Sequence, residues 1–236
     1  AQNKVTQAYL GQIPERENIR QRLTKLWNYE RFSVPYKEGG RYFYTRNDGL
    51  QPQSVLYTMK TLGDTPRVLL DPNTLAADGT VALAGAAVSP DGKLLAYGTA
   101  ASGSDWNEWK VRDIETGKDL TDHLKWVKFS ATAWTKDGKG FFYSRYDEPK
   151  EATKLADVNY FQKLYYHKVG TPQSADTLVY DRPDQKEWGF RAEVTDDGKY
   201  LLITATKGTA PKYRVFYKDL TRADAKVEAL VDAFEA

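Results

Sequence analysis

The sequence predicts an all-β protein with a short N-terminal helical segment, organised as a β-propeller of which about four blades are covered. Three observations predict it. Apolar residues recur with a helical period to about residue 30 and with a period of two from Phe32 onward. A hairpin word of the form Ala-apolar-Ser/Thr-x-Asp-Gly-Lys recurs in "AAVSPDGKLLAY" (86–97), "TAWTKDGKGFFY" (132–143) and "AEVTDDGKYLLI" (192–203). Its glycines, taken with Gly40, fall 52, 46 and 60 residues apart, close to the spacing of propeller repeats.

Residues 1 to about 29 are read as two amphipathic helices. Val5 and Tyr9 lie one turn apart, and after Ile13-Pro14 the run "ERENIRQRLTKLWNY" places Ile19, Leu23, Leu26 and Trp27 on one stripe opposite the charges. Such a stripe is expected to pack on another domain. In the repeat word, Ser89, Pro90 and Gly92 suit a type I turn between antiparallel strands, which makes Asp91, Asp137 and Asp197 turn formers rather than catalytic groups. A looser first unit takes Glu38-Gly39-Gly40 as its turn. Each hairpin is followed by a further alternating segment, "SVLYTMK", "EWKVRDIETGKDL", "QKLYYHKVG" and "YRVFYKDLTR", so each unit supplies about four strands. The longest gap is assigned to an insertion around "DEPKEATKLADVNY". No segment reads as a closing blade, so the array is expected to be an incomplete ring within a longer polypeptide.

Composition restricts function more than it suggests one. With 236 residues, 41% of them hydrophobic, the chain can bury one large core or two small ones. Lys plus Arg (34) nearly balances Asp plus Glu (32), without a basic stripe, which argues against nucleic acid or an anionic membrane as partner. The absence of cysteine excludes disulfides, thiolate metal ligands and a cysteine nucleophile. His123 and His167 stand apart in unlike contexts, so no metal site and no cofactor is expected; His167 reads as a strand residue and His123 as a loop residue. No apolar run approaches the roughly 20 residues of a membrane span. Lack of cysteine leans the compartment toward the periplasm without fixing it.

The stretch "ASGSDW" (101–106) interrupts two alternating segments, and three readings compete: an ordinary loop, a nucleophile turn, or a contact with something outside the chain. A nucleophile elbow needs Gly-x-Ser-x-Gly between strand and helix; Gly103-Ser104-Asp105 lacks the second glycine, the context and a histidine partner. On the residues alone, Ser102 to Ser104 form a loop with Trp106 covering the blade edge, and Phe129 belongs to the blade core.

Longer words are more specific than the hairpin. "DPNTLAADGTVAL" (71–83), "ASGSDW", "VKFSATAWTKDGKGFFYSRYDEP" (127–149) and "QKLYYHKVGTPQSADTLVY" (162–180), in that order, resemble the N-terminal half of the propeller of prolyl oligopeptidases, and the lead-in through "SVLY" resembles the stretch joining that family's first helices to blade one. The resemblance implies a parent serine peptidase that cleaves short peptides on the carboxyl side of proline. In it a seven-bladed propeller caps an α/β-hydrolase domain holding the Ser, Asp and His triad, which this segment lacks. Residues 1–30 would belong to or pack on the peptidase domain, and 31–236 would be partial propeller. The segment alone should be inactive. The partners implied are short proline-containing peptides and the chain's own hydrolase domain.

The same resemblance assigns roles to particular residues. Asp105 becomes the electrostatic partner of an active-site arginine from the hydrolase domain, with Trp106 as packing support. Phe129 matches the phenylalanine lining the outer substrate subsite. Gly189, Thr206 and Thr209 stand where mammalian members carry methionine, arginine and cysteine, and form a possible outer-subsite rim of altered preference. Two rivals stay open: a non-enzymatic TolB-like propeller that binds a protein partner, and a related serine peptidase such as oligopeptidase B or acylaminoacyl peptidase.

Overall fold

The computed structural model describes residues 2–149 and 158–235. Among the described residues two α-helices, α1 (Gln2–Gly11) and α2 (Arg16–Trp27), precede seventeen strands. The insertion expected around residues 147–160 falls largely on 150–157, outside the described residues.

The strands form four antiparallel units in chain order, of which the second and third are joined into one eight-stranded sheet by the pairing of Val127 with Arg145. The first holds β1 (Arg31–Phe32), β2 (Tyr36–Glu38), β3 (Arg41–Asn47), β4 (Val55–Met59) and β5 (Arg67–Leu70), with β1 and β2 both pairing β3 as one interrupted first strand. The second holds β6 (Val81–Val88), β7 (Leu94–Ala101), β8 (Asn107–Asp113) and β9 (Asp119–Val127). The third holds β10 (Ala133–Trp134), β11 (Gly140–Arg145), β12 (Lys163–Lys168) and β13 (Thr177–Tyr180), and the fourth β14 (Trp188–Val194), β15 (Tyr200–Lys207), β16 (Tyr213–Asp219) and β17 (Glu228–Val231). The first strand of the third unit, β10, neighbours both β6 and β14, so first strands cluster where the blades converge. This is the blade arrangement of a β-propeller.

Period-two alternation becomes layered packing. Leu95 and Tyr97 face the first blade, against Phe43, Leu56 and Leu70, while Ala96 between them faces the third, with Trp109, Trp134 and Phe141. Phe142 faces the fourth blade with Trp188, Phe190, Leu201 and Ile203, whereas its neighbours Phe141 and Tyr143 point back to the second. Each such side chain leaves water completely or nearly so. Burial of one of them contributes roughly 1.5–3 kcal/mol. Gly98 is required by its neighbour in this layer, since a Cβ there would lie 2.6 Å from the Trp109 indole.

The repeated hairpin is the same structure three times. Gly92, Gly138 and Gly198 donate backbone N–H bonds to the carbonyls of Ser89, Thr135 and Thr195 at 2.8, 2.9 and 2.7 Å. Asp91, Asp137 and Asp197 accept from those Ser/Thr hydroxyls at 2.7–2.8 Å and from the N–H of the following lysines at 3.0–3.1 Å. A carboxylate that accepts both bonds locks the turn locally, which is why the word repeats.

Candidate functional site

Because consecutive strands are antiparallel, the hairpins at 39–40, 92, 138 and 198 lie at one end of the blades, and the β3–β4, β7–β8, β11–β12 and β15–β16 loops lie at the other with the inter-blade connections. Asp105 and Trp106 sit in the β7–β8 loop, Phe129 in the β9–β10 connection, Gly189 at the start of β14, and Thr206 and Thr209 at the end of β15 and just beyond. All six residues singled out in the sequence therefore lie at the loop end. The helical lead-in is tethered there too: the Arg31 guanidinium donates to the Trp27 carbonyl, Asn47 Oδ1 and the Gly49 carbonyl, each at 3.0 Å.

Phe129, Gly189, Thr206 and Thr209 line one groove of about 550 Å³, together with Tyr146, Asn159 and Gln162. Phe129 is 65% exposed, so it is a rim residue and the blade-core reading of it is overturned. Gly189 opens the floor, since a Cβ there would lie 3.2 Å from Gln162 Oε1 and 3.3 Å from Thr206 Oγ1. Trp106 borders an adjoining cavity of about 490 Å³ that shares Tyr146, Val158 and Asn159 with the first. The Trp106 ring meets Trp126 on β9, the outer strand of its own blade, edge-on at 6.2 Å, and reaches past that edge to Tyr146 of the third blade, also edge-on, at 6.0 Å. Burial pushes the Tyr146 phenol up, which keeps this wall neutral.

Lys128, which sequence reasoning passed over, joins these residues. Its ammonium lies 3.8 Å from the Asp105 carboxylate, 5.0 Å from the Trp106 ring centroid and 5.2 Å from the Phe129 ring centroid, and it donates to Asn159 Oδ1 at 3.4 Å. A cation between two aromatic faces is attracted by both ring quadrupoles. The signal available in the sequence was a lysine flanked by Trp126 and Phe129 in a connection. Asp105 itself keeps 66% of its side chain exposed, open to a further cation.

The backbone here is unusual. Ser102, Trp126, Phe129 and Phe161 all have positive φ, between 52° and 61°, although none is glycine. Bulky residues hold this conformation only where the surroundings over-determine it, and such residues cluster at functional sites.

Ser104 is no nucleophile: its hydroxyl oxygen accepts the Trp106 N–H at 3.1 Å, and both histidines are engaged elsewhere. His123 lies in strand β9, not in a loop, because its alternation continues that of β9; it is paired with Glu108 at 2.6 Å. His167 is a strand residue of β12 and completely buried, with Nε2 2.9 Å from Asp122 and Nδ1 2.6 Å from Asp176. Burial opposes its charge, but the two carboxylates outweigh that and raise its pKa to about 9. The Tyr143 hydroxyl donates to Asp176 at 2.6 Å and the Gly170 N–H to Asp122 at 2.6 Å, completing a polar bridge between the second and third blades.

Stacked antiparallel blades with a groove and an open acid on the loop face define a β-propeller domain. Its family is shown by comparison. The family model described as prolyl oligopeptidase, N-terminal beta-propeller domain, matches residues 1–236, and the chain belongs to that family. It is 43% identical over 217 residues to a prolyl endopeptidase of Elizabethkingia meningoseptica, covering 92% of this chain and 30% of the relative. It is 35% identical over 262 residues to a prolyl oligopeptidase of Omphalotus olearius, covering 100% of this chain and 35% of that protein. Among solved structures it resembles one from a study of two prolyl endopeptidases and their inter-domain dynamics (TM-score 0.80, 40% identity, 100% of this chain and 33% of that one). It also resembles prolyl oligopeptidase B from Galerina marginata bound to a 25mer macrocyclization substrate (TM-score 0.88, 32% identity, 98% and 35%). The chain thus spans about a third of the length of these relatives.

Proposed function

We propose that this chain is the access and substrate-shaping propeller of a serine peptidase that hydrolyses short peptides on the carboxyl side of proline. The observation that carries the reading is the gathering of Asp105, Trp106, Phe129, Gly189, Thr206 and Thr209 at one end of the blades, four of them around one groove. The family membership supplies the reaction class. Nucleophile, base and oxyanion hole would reside in an α/β-hydrolase domain seated on the loop end, with three further blades completing a seven-bladed ring.

In this reading residues 1–30 are the lead-in that packs on the hydrolase domain, and 31–236 are partial propeller. The exposed stripe of Ile19, Leu23, Leu26 and Trp27 offers that contact. The propeller performs no bond chemistry. It restricts entry to short peptides and excludes bulk water from the reacting centre. The Asp105 carboxylate orients a substrate-binding arginine of the hydrolase domain, and Phe129 contributes apolar contact to the residue two before the scissile proline. Small residues at 189, 206 and 209 widen the outer subsite.

The test is cleavage of a chromogenic Gly-Pro peptide by the complete polypeptide and by residues 1–236 alone. Cleavage after proline by the former, blocked by a serine-directed inhibitor and absent in the latter, is expected. Absence of proline-directed cleavage by the complete polypeptide would refute the reading.

A further inference from the structure

The connection carrying Phe129 is held on both sides by buried side chains of the third blade. Gln162, 2% exposed, donates from Nε2 to the Lys128 carbonyl at 2.9 Å and accepts the Phe190 N–H on Oε1 at 2.6 Å. Ser144, 1% exposed, donates from Oγ to the Phe190 carbonyl at 2.8 Å, and its own N–H donates to Ser130 Oγ at 2.8 Å. Both backbone polar groups of Phe190 are thus satisfied by the third blade, and residues 128 and 130, either side of Phe129, are tied to that same seam. Phe190 belongs to β14 and follows Gly189, so the seam spans the two walls of the groove: the rim at Phe129 and the floor at Gly189.

We propose that Gln162 and Ser144 are positioning residues that set the width of this groove by holding the left-handed Phe129 backbone (φ 55°) against β14. The physical case is one of matching. A positive φ at phenylalanine is strained and persists only when neighbours over-determine it. Bridging a carbonyl and an N–H takes a side chain that both donates and accepts, and the Gln162 amide does so through Nε2 and Oε1. A carboxylate at position 162 would accept from Phe190 but set an oxygen lone pair against the Lys128 carbonyl. Protonated, it would regain the donor. The inference rests on the reading of Phe129 as a substrate contact, yet its structural half can be tested without it.

In the complete polypeptide, hydrogen exchange of the segment 127–131 is compared for the wild type, Gln162→Glu and Ser144→Ala. Exchange at pH 8 should rise about tenfold or more in Gln162→Glu and recover toward the wild type at acidic pH, where the buried acid is neutral, since burial raises a carboxyl pKa. Ser144→Ala should rise without recovering. The selectivity ratio, kcat/KM for a Phe-Gly-Pro chromogenic peptide over a Gly-Gly-Pro one, should fall about tenfold in Phe129→Ala and in Gln162→Glu at pH 8, through KM, and no further in the double variant. Unchanged exchange in both seam variants would overturn the proposal. So would a ratio that falls in Phe129→Ala but not in Gln162→Glu. A ratio insensitive to Phe129→Ala, with exchange rising as expected, would refute the substrate role and leave the seam as the holder of the loop. If Gln162→Glu does not fold, Ser144→Ala decides by the same exchange and selectivity readings.

Discussion

The Lys128 ammonium lies 3.8 Å from the Asp105 carboxylate, and the two come from opposite sides of one blade's loop end: Asp105 from the β7–β8 loop, Lys128 from the exit of β9. The pair is asymmetric. Lys128 is 13% exposed and packed between rings, whereas Asp105 is 66% exposed.

That asymmetry separates stability from function. Asp105→Asn should change stability by no more than about 0.5 kcal/mol, since a largely exposed ion pair contributes little. Lys128→Ala should cost about 1–2 kcal/mol, because it removes an aliphatic stem and two ring contacts. Urea unfolding of residues 1–236 measures both. In the complete polypeptide, on the proposed function, Asp105→Asn should lower kcat/KM about tenfold with stability intact; unchanged kinetics would remove its assigned role.

Phe129→Ala should be nearly neutral for stability, within about 0.5 kcal/mol, because the ring is already mostly in water. Phe141→Ala, in the completely buried layer between the second and third blades, should cost about 3–5 kcal/mol. Equal losses in the two denaturation curves would return Phe129 to the core.

The bridge at His167 predicts a pH dependence. Its folded pKa of about 9 exceeds the ordinary 6.5, so the stabilisation is fully present below pH 6.5 and is lost as pH rises through about 9. Asp122 runs the other way. Burial raises its pKa, but the His167 and Gly170 bonds lower it further, so its contribution is present above the ordinary 3.8 and is lost on acidification below it. Melting temperature followed from pH 6 to 10 should fall, and His167→Gln should flatten that slope while costing about 3 kcal/mol or more near pH 6 by removing the cation that two buried carboxylates share. A wild-type profile flat across this range would contradict the pairing.

Gly39→Ala should be among the most disruptive single changes on the hairpin end. A Cβ there would lie 2.0 Å from the Gly92 backbone nitrogen, and φ at Gly39 is +52°. Backbone cannot yield as a side-chain tip can, so a loss of about 2 kcal/mol or more is expected in equilibrium unfolding. Gly103→Ala, also at positive φ but with no atom within 4 Å, should cost less, which isolates the contact from the strain.

Elements whose physics is local were legible in the sequence alone. The Ser/Thr-x-Asp-Gly-Lys turns close within six residues, and the Ser89–Asp91–Lys93 bonds depend on nothing distant. Strand alternation was equally plain, because one face of each strand meets the blade before it and the other the blade after. The loop at 101–106 and the residue Phe129 were found through whole words of sequence, not through any property of a single side chain. What stayed hidden is held by contacts across long separations: His167 to Asp122 over 45 residues, Ser144 to Phe190 over 46, and Gln162 to Lys128 over 34. A buried histidine in "LYYHKV" announces that polar partners must exist, but not which ones.

By itself, then, the sequence determined the blade repeat and its turns, since these follow from nearest-neighbour chemistry and period, whereas the candidate rim residues came only from the resemblance of whole words to a family. The tertiary structure alone decided that Phe129 is a rim and not a core residue, that Lys128 bridges Asp105 to it, and that Gln162 and Ser144 fasten it. Those outcomes depend on which strand ends the alternating chain direction brings side by side, and a linear order of residues carries that only after the blades have stacked.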